Sequence, residues 1–204
     1  MNDSHHNQRD QLANAAWQEL ALSGYESLKL PDIAQQCDMT EAEAVLVAGD
    51  VMQLILGKLQ ELDKAALAES LADFADDPDA SIYDKILEGL TMRFEHFAQY
   101  RSQINALHQA AFRNPLLGLS LSHQLSETIA KLLFICGDTS TGWRKQARIL
   151  GVTATVMRVR SDWADDETAG MELTMKKLDE ALKKACDWAL TLQILSDDDI
   201  SGNK

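Results

Sequence analysis

The chain has 204 residues, 46% of them hydrophobic and 25% charged, the composition of a globular protein with enough length to bury a core. Its formal net charge is −13 and its pI about 4.7, a balance opposite to the basic face that nucleic-acid binders usually carry. No apolar run reaches membrane-spanning length, the opening MNDSHHNQRD is polar and unlike a signal peptide, and Cys37, Cys136 and Cys186 lie too far apart for a zinc site. These features predict a cytoplasmic protein with reduced thiols, without metal or cofactor, and read the adjacent His5 and His6 as solvated.

Residues 10–23 place Leu12, Ala15, Ala16, Glu19 and Leu20 on one face with Trp17 at its flank, which predicts an amphipathic helix ended by Gly24. Pro31 suits the first turn of a short second helix with Ile33, Ala34 and Cys37 facing inward, followed by a turn over 37–39. Thr40 and Glu43 form a capping-box pattern that opens a third helix. Gly49 and Asp50 interrupt it, and Asp50 is placed to cap a fourth helix carrying Val51, Leu54, Ile55, Leu59, Leu62 and Ala66 at helical spacing. ADDPDAS, over 75–81, is the clearest break.

Beyond it, residues 82–100 read as helix, with Ile86, Leu90, Phe94 and Phe97 on one face. Further helices are expected over 101–113, 116–136, 143–164 and 168–192, separated by Asn114-Pro115, the turn GDTSTG and the Trp163 to Asp166 region, where Trp163, Asp165 and Asp166 end one helix and cap the next. The last residues, SDDDISGNK, read as a loose acidic tail. There is no strand alternation and no internal repeat, so the predicted class is all-α, with about nine helices. No nucleophile–base pair, phosphate-binding glycine loop or HExxH motif is present, so an enzyme is the least supported class.

The run LANAAWQELALSGYESLKLPDIAQQCDM, with Gly24-Tyr25 and then Asp32-Ile33-Ala34, resembles the head of the tetracycline-repressor (TetR) family of transcriptional regulators. RILGVTATVMRVRSDWADDETAGMELTMKKLDEALKKA resembles the end of one subgroup, on Trp163, Asp165, Asp166, Thr174, Met175, Leu178 and Asp179, with only Ala164 between Trp163 and Asp165. The resemblance covers about residues 11–190. It implies a homodimer with a helix-turn-helix head over 1–50, a connecting helix over 51–74, a ligand-binding and dimerisation domain over 75–196 and the tail over 197–204. Ligand in the body would shift the spacing of the two heads, a population shift between two dimer geometries.

The resemblance also marks candidate residues. Lys29, Thr40, Glu41 and Glu43 stand where the head would meet DNA, although the plainer reading of Thr40, Glu41 and Glu43 is a solvent-facing helix cap. Phe94, Phe97, Tyr100, Leu107, Phe112, Leu125, Ile129, Leu133 and Met157 could wall an apolar pocket, with His96, His108 and His123 as polar anchors; the plain alternative is that they are core and surface. Leu150, Val152, Val156, Leu173, Leu178, Leu182 and Trp188 are candidates for a four-helix dimer bundle.

One departure from the family pattern bears on function. The family usually follows its recognition helix with an aromatic pair and a lysine that meets phosphate. Here the corresponding stretch is Ala44-Val45-Leu46-Val47-Ala48-Gly49-Asp50. Residues 1–64 hold eleven acids and only Arg9, Lys29, Lys58 and Lys64 as bases, a net of −7. Two readings follow. One is a homodimeric regulator binding DNA and a small apolar ligand. The other is a TetR-like protein that has given up DNA and binds a lipid or a protein, as the TetR-shaped lipid-binding proteins of ubiquinone synthesis do. A basic patch built from Arg9, Lys29, Lys58 and Lys64 would favour the first, and an acidic third-helix surface the second.

Overall fold

The computed structural model describes residues 2–192 and 194, with the side chains of 2–6 and 169 excepted. The 197–204 tail and the side chains of His5 and His6 therefore lie outside the described residues. Nine α-helices and no strand occur among the described residues: α1 (Asn2–Ser23), α2 (Leu30–Gln36), α3 (Glu41–Ala48), α4 (Val51–Asp76), α5 (Ile82–Ala98), α6 (Arg101–Arg113), α7 (Pro115–Ile135), α8 (Gly142–Ala164) and α9 (Glu172–Thr191). The all-α expectation holds. The helix boundaries follow the local signals closely, except that α1 begins eight residues before the predicted start.

The helices form two compact units that do not follow chain order. The first comprises Met1–Leu62 and Gln99–Gln124, the second Asp63–Ala98 and Leu125–Lys204, so α4 and α7 each contribute a part to both. The break expected over 75–81 coincides with the end of α4 at Asp76, two residues before Pro78. In the first unit Leu12, Ala16, Trp17 and Leu20 of α1 are buried together with Ile33, Ala34, Ala44, Ala48, Leu54 and Ile55. Helix α6 packs on α1, with Leu107 and Ala110 buried and the Tyr100 ring edge-on to Trp17 at 5.8 Å.

The second unit is built on α8 and α9, which pack antiparallel along their length. Leu90, Phe94, Ile129, Leu132, Val159, Trp163, Leu178 and Leu182 are buried in it, and the Phe94 and Trp163 rings lie 5.7 Å apart. A buried polar group crosses this core. The Asp63 carboxylate of α4 accepts from Arg93 Nε of α5 at 2.8 Å and from the Thr128 hydroxyl of α7 at 2.9 Å. The Arg93 guanidinium also lies over the Phe97 ring, 4.5 Å from its centroid.

The α8–α9 connection is held by Asp166. One carboxylate oxygen accepts from the Thr168 hydroxyl at 2.5 Å and backbone at 3.0 Å; the other accepts from the Thr174 backbone at 2.7 Å and hydroxyl at 2.6 Å. Hydrogen bonds from Thr168 and Thr174 hold this carboxyl well below the usual carboxylate range. A depressed folded-state pKa stabilises the fold above the unfolded carboxylate value, and that contribution is lost as pH falls through the folded value. Asp166→Asn is therefore expected to lower the melting temperature at neutral pH. Its deficit relative to wild type should shrink below about pH 4, as read from melting temperatures across an acid series.

Candidate nucleic-acid interface and ligand cavity

The head has the geometry of a helix-turn-helix. Pro31 sits in the first turn of α2, and Ile33 and Ala34 are buried. The chain leaves α2 through Cys37 and turns at Asp38, whose φ of 55° is left-handed. Thr40 then caps α3. Its backbone N–H donates to the Glu43 carboxylate at 2.9 Å, and the Glu43 N–H donates back to Thr40 Oγ1 at 3.3 Å. This reciprocal pair is the capping box expected from the sequence. Gly49, with φ 76°, closes α3 in a conformation that side chains rarely adopt. Asp50 accepts from the Gln53 N–H at 2.8 Å and so opens α4.

The electrostatics of this head do not match its shape. Ala44 and Ala48 point α3 into the core, which turns Glu41, Ala42, Glu43, Val45, Leu46, Gly49 and Asp50 outward. No Lys or Arg lies on this face. Leu46 is 86% exposed and Val45 49% exposed, so apolar surface stands where a DNA reader would present polar or basic side chains. The cations of the head are dispersed. Lys29 is exposed ahead of α2, Arg9 is exposed on α1, and Lys58 is drawn to Glu61 at 3.0 Å with only 12% of its side chain accessible. Lys64 belongs to the second unit. Of the predicted DNA-facing residues, Lys29, Thr40, Glu41 and Glu43 are all at the surface, and Thr40 and Glu43 are occupied with each other.

The second unit holds a cavity of about 80 Å³, several times the space of one water. Ile82, Tyr83 and Ile86 of α5, Leu133 of α7, Ala147, Arg148, Gly151 and Val152 of α8, and Leu182, Ala185, Cys186 and Ala189 of α9 line it, with Asp138 and Ile194. Its charges are spent internally: Arg148 Nη1 donates to Asp138 at 2.6 Å, and the Tyr83 hydroxyl donates to the Asp179 carboxylate at 2.9 Å. Burial, with Asp187 nearby, raises the Cys186 thiol above its ordinary value, so it behaves as an apolar group.

Of the predicted pocket residues, only Leu133 lines this cavity. Phe94, Phe97 and Ile129 are buried in the core of the second unit, while Met157 is 51% exposed. Tyr100, His108 and Phe112 belong to the first unit, where Phe112 is 77% exposed and stacks edge-on with His108 at 4.7 Å. His96 pairs with Glu69 at 2.5 Å in the second unit, and His123 is exposed. The signal that sequence reasoning missed is a pair of small residues four apart on each of two helices, Ala147/Gly151 and Ala185/Ala189, which leaves room where α8 and α9 meet.

The predicted dimer residues divide into two groups. Val152, Val156, Leu178 and Leu182 are buried within the chain itself, where α8 and α9 cover one another. Leu150 and Leu173 are exposed, as are Trp143, Met157, Met175 and Trp188. No group of His, Cys, Asp and Glu among the described residues is placed to hold a metal ion, and no described helix is long and apolar enough to cross a membrane.

No protein-family model matches the chain, and neither does any curated protein. Solved structures do. A TetR transcriptional regulator from Nitrosomonas europaea superposes with a TM-score of 0.67 at 16% identity, over 87% of this chain and 97% of that one. The chain has the TetR fold. A putative TetR-family transcriptional regulator from a Rhodococcus species (TM-score 0.60, 18% identity, 89% of this chain and 97% of that one) shares it. So does the fatty acid degradation regulator FadR from Bacillus halodurans (TM-score 0.60, 18% identity, 86% and 94%). At such identities the likeness is one of TetR architecture, and the chemistry of the head has to be read from its own residues.

Proposed function

We propose that the protein is a TetR-like homodimer that binds a small apolar molecule in its second unit and whose head has lost its grip on duplex DNA. The observation that carries this reading is the exposed face of α3, which combines Glu41, Glu43 and Asp50 with uncovered Val45 and Leu46 and has no cation. Phosphate contacts supply most non-specific affinity for DNA. A head of net −7 repels a duplex at the range where steering acts. The second reading, a DNA-binding transcriptional regulator, has the intact capping box and turn in its favour, with Lys29 exposed beside them.

Equilibrium binding of a labelled random-sequence duplex across a salt series separates the two. The proposal expects no salt-dependent binding. A slope of several units in log affinity against log salt would support the regulator. The cavity supports the ligand part of the reading, because Arg148 is paired with Asp138 and the rest of the wall is largely apolar. Native mass spectrometry of purified protein is expected to reveal a small, weakly polar passenger.

A further inference from the structure

We propose that the outward stripe of α3 is a docking surface for a basic, amphipathic segment of a partner protein. The inference rests on the reading of the head given above, that it does not grip DNA. Glu41, Ala42, Val45, Leu46 and Gly49 follow the four-residue spacing of one helix face, and all are exposed. The buried Ala44 and Ala48 fix the rotation of α3, so Leu46, 86% exposed, cannot turn inward without unpacking the helix. Solvent-facing Leu and Val on adjacent positions form a small apolar ridge.

Carboxylates border that ridge. Exposed Asp38 and Glu41 lie at its start and Asp50 at its end. Two of the carboxylates here are held in place: Glu43 by the Thr40 amide at 2.9 Å and Asp50 by the Gln53 amide at 2.8 Å. Little side-chain freedom is therefore lost when a partner arrives. The sign of the charge selects the occupant. A duplex and an anionic membrane are repelled, and the same α3 face of a second copy would set Glu41, Glu43 and Asp50 against their own like charges. A segment with one or two apolar side chains flanked by Lys or Arg meets both the ridge and its border.

The test uses the full chain and a labelled synthetic helical peptide of leucine and lysine, with binding followed by fluorescence anisotropy at physiological salt. Leu46→Glu adds negative charge while removing the apolar contact, so it opposes the two contributions. The expected result is binding by the wild type that weakens about tenfold in Leu46→Glu. Leu71→Glu, at a 55% exposed position on α4, is expected to leave binding unchanged. Equal or tighter binding by Leu46→Glu overturns the proposal, because it reduces the effect to general attraction to an acidic protein. Failure of the wild type to bind either the peptide or a duplex overturns the docking surface alone. A duplex that displaces the peptide, and that Leu46→Glu no longer binds, overturns both the docking surface and the reading of the head.

Discussion

Leu150→Asp is expected to convert the protein from dimer to monomer at micromolar concentration, as seen by sedimentation. Trp143, Leu150 and Met157 recur every seven residues along α8 and are 63%, 63% and 51% exposed. Seven-residue spacing drifts only about 20° per repeat around a helix, so the three form one uncovered seam beside the buried Val152 and Val156. A seam of this kind suits packing against the same helix of a second copy. In a twofold interface each substitution enters twice. Placing a charge where a leucine would be buried costs about 2 to 3 kcal/mol per copy, so the dissociation constant is expected to rise by roughly a thousandfold or more. A wild type that sediments as a monomer, or a variant that remains fully dimeric, would contradict this seam.

The second large effect lies in the buried polar group of the second unit. Asp63→Ala is expected to destabilise the protein by about 3 to 5 kcal/mol, because it leaves the Arg93 guanidinium in a mostly apolar setting without its partner. Arg93 Nε and the Thr128 hydroxyl both donate to this carboxylate, and only 5% of the Asp63 side chain is accessible. For a chain of this size the loss corresponds to a drop in melting temperature of roughly 10 °C. Replacing both partners with Asp63→Leu and Arg93→Met is expected to recover most of the deficit, since the cost comes from the stranded charge rather than from the missing attraction. A double variant as unstable as Asp63→Ala would show that packing, not charge, governs this site. Thermal melts of the three proteins settle the comparison.

Much of the architecture was legible in the chain because its signals are local. Thr40 and Glu43 announce the α3 cap, Pro31 the start of α2, Gly24 the end of α1 and Asn114-Pro115 the α6–α7 break, each within one helical turn. The acidity of the head was equally legible, since it is a matter of composition. What stayed hidden depends on contacts between residues far apart in sequence. Phe94 and Phe97 have the spacing and chemistry of a pocket wall, yet periodicity records only that a face is buried, not against what. Phe112 reads as buried from its hydrophobicity and proves 77% exposed. The cavity arises from Ala147 and Gly151 facing the α9 side that carries Ala185 and Ala189, a match between two helices that no single helix reveals. The same limit applies to α8. Its apolar residues are plain in the sequence, but only packing divides Val152 and Val156, covered within the chain, from Leu150 and Met157, left outside.

As proposed, the head keeps a helix-turn-helix shape without its DNA chemistry. Selection of fragmented genomic DNA by the purified full-length protein at low salt tests it most directly, since weak phosphate contacts are strongest there. The expected result is no enriched sequence and no retention that falls as salt is raised. An enriched sequence with two related half-sites, bound in a salt-sensitive manner and lost in Lys29→Ala, would contradict it.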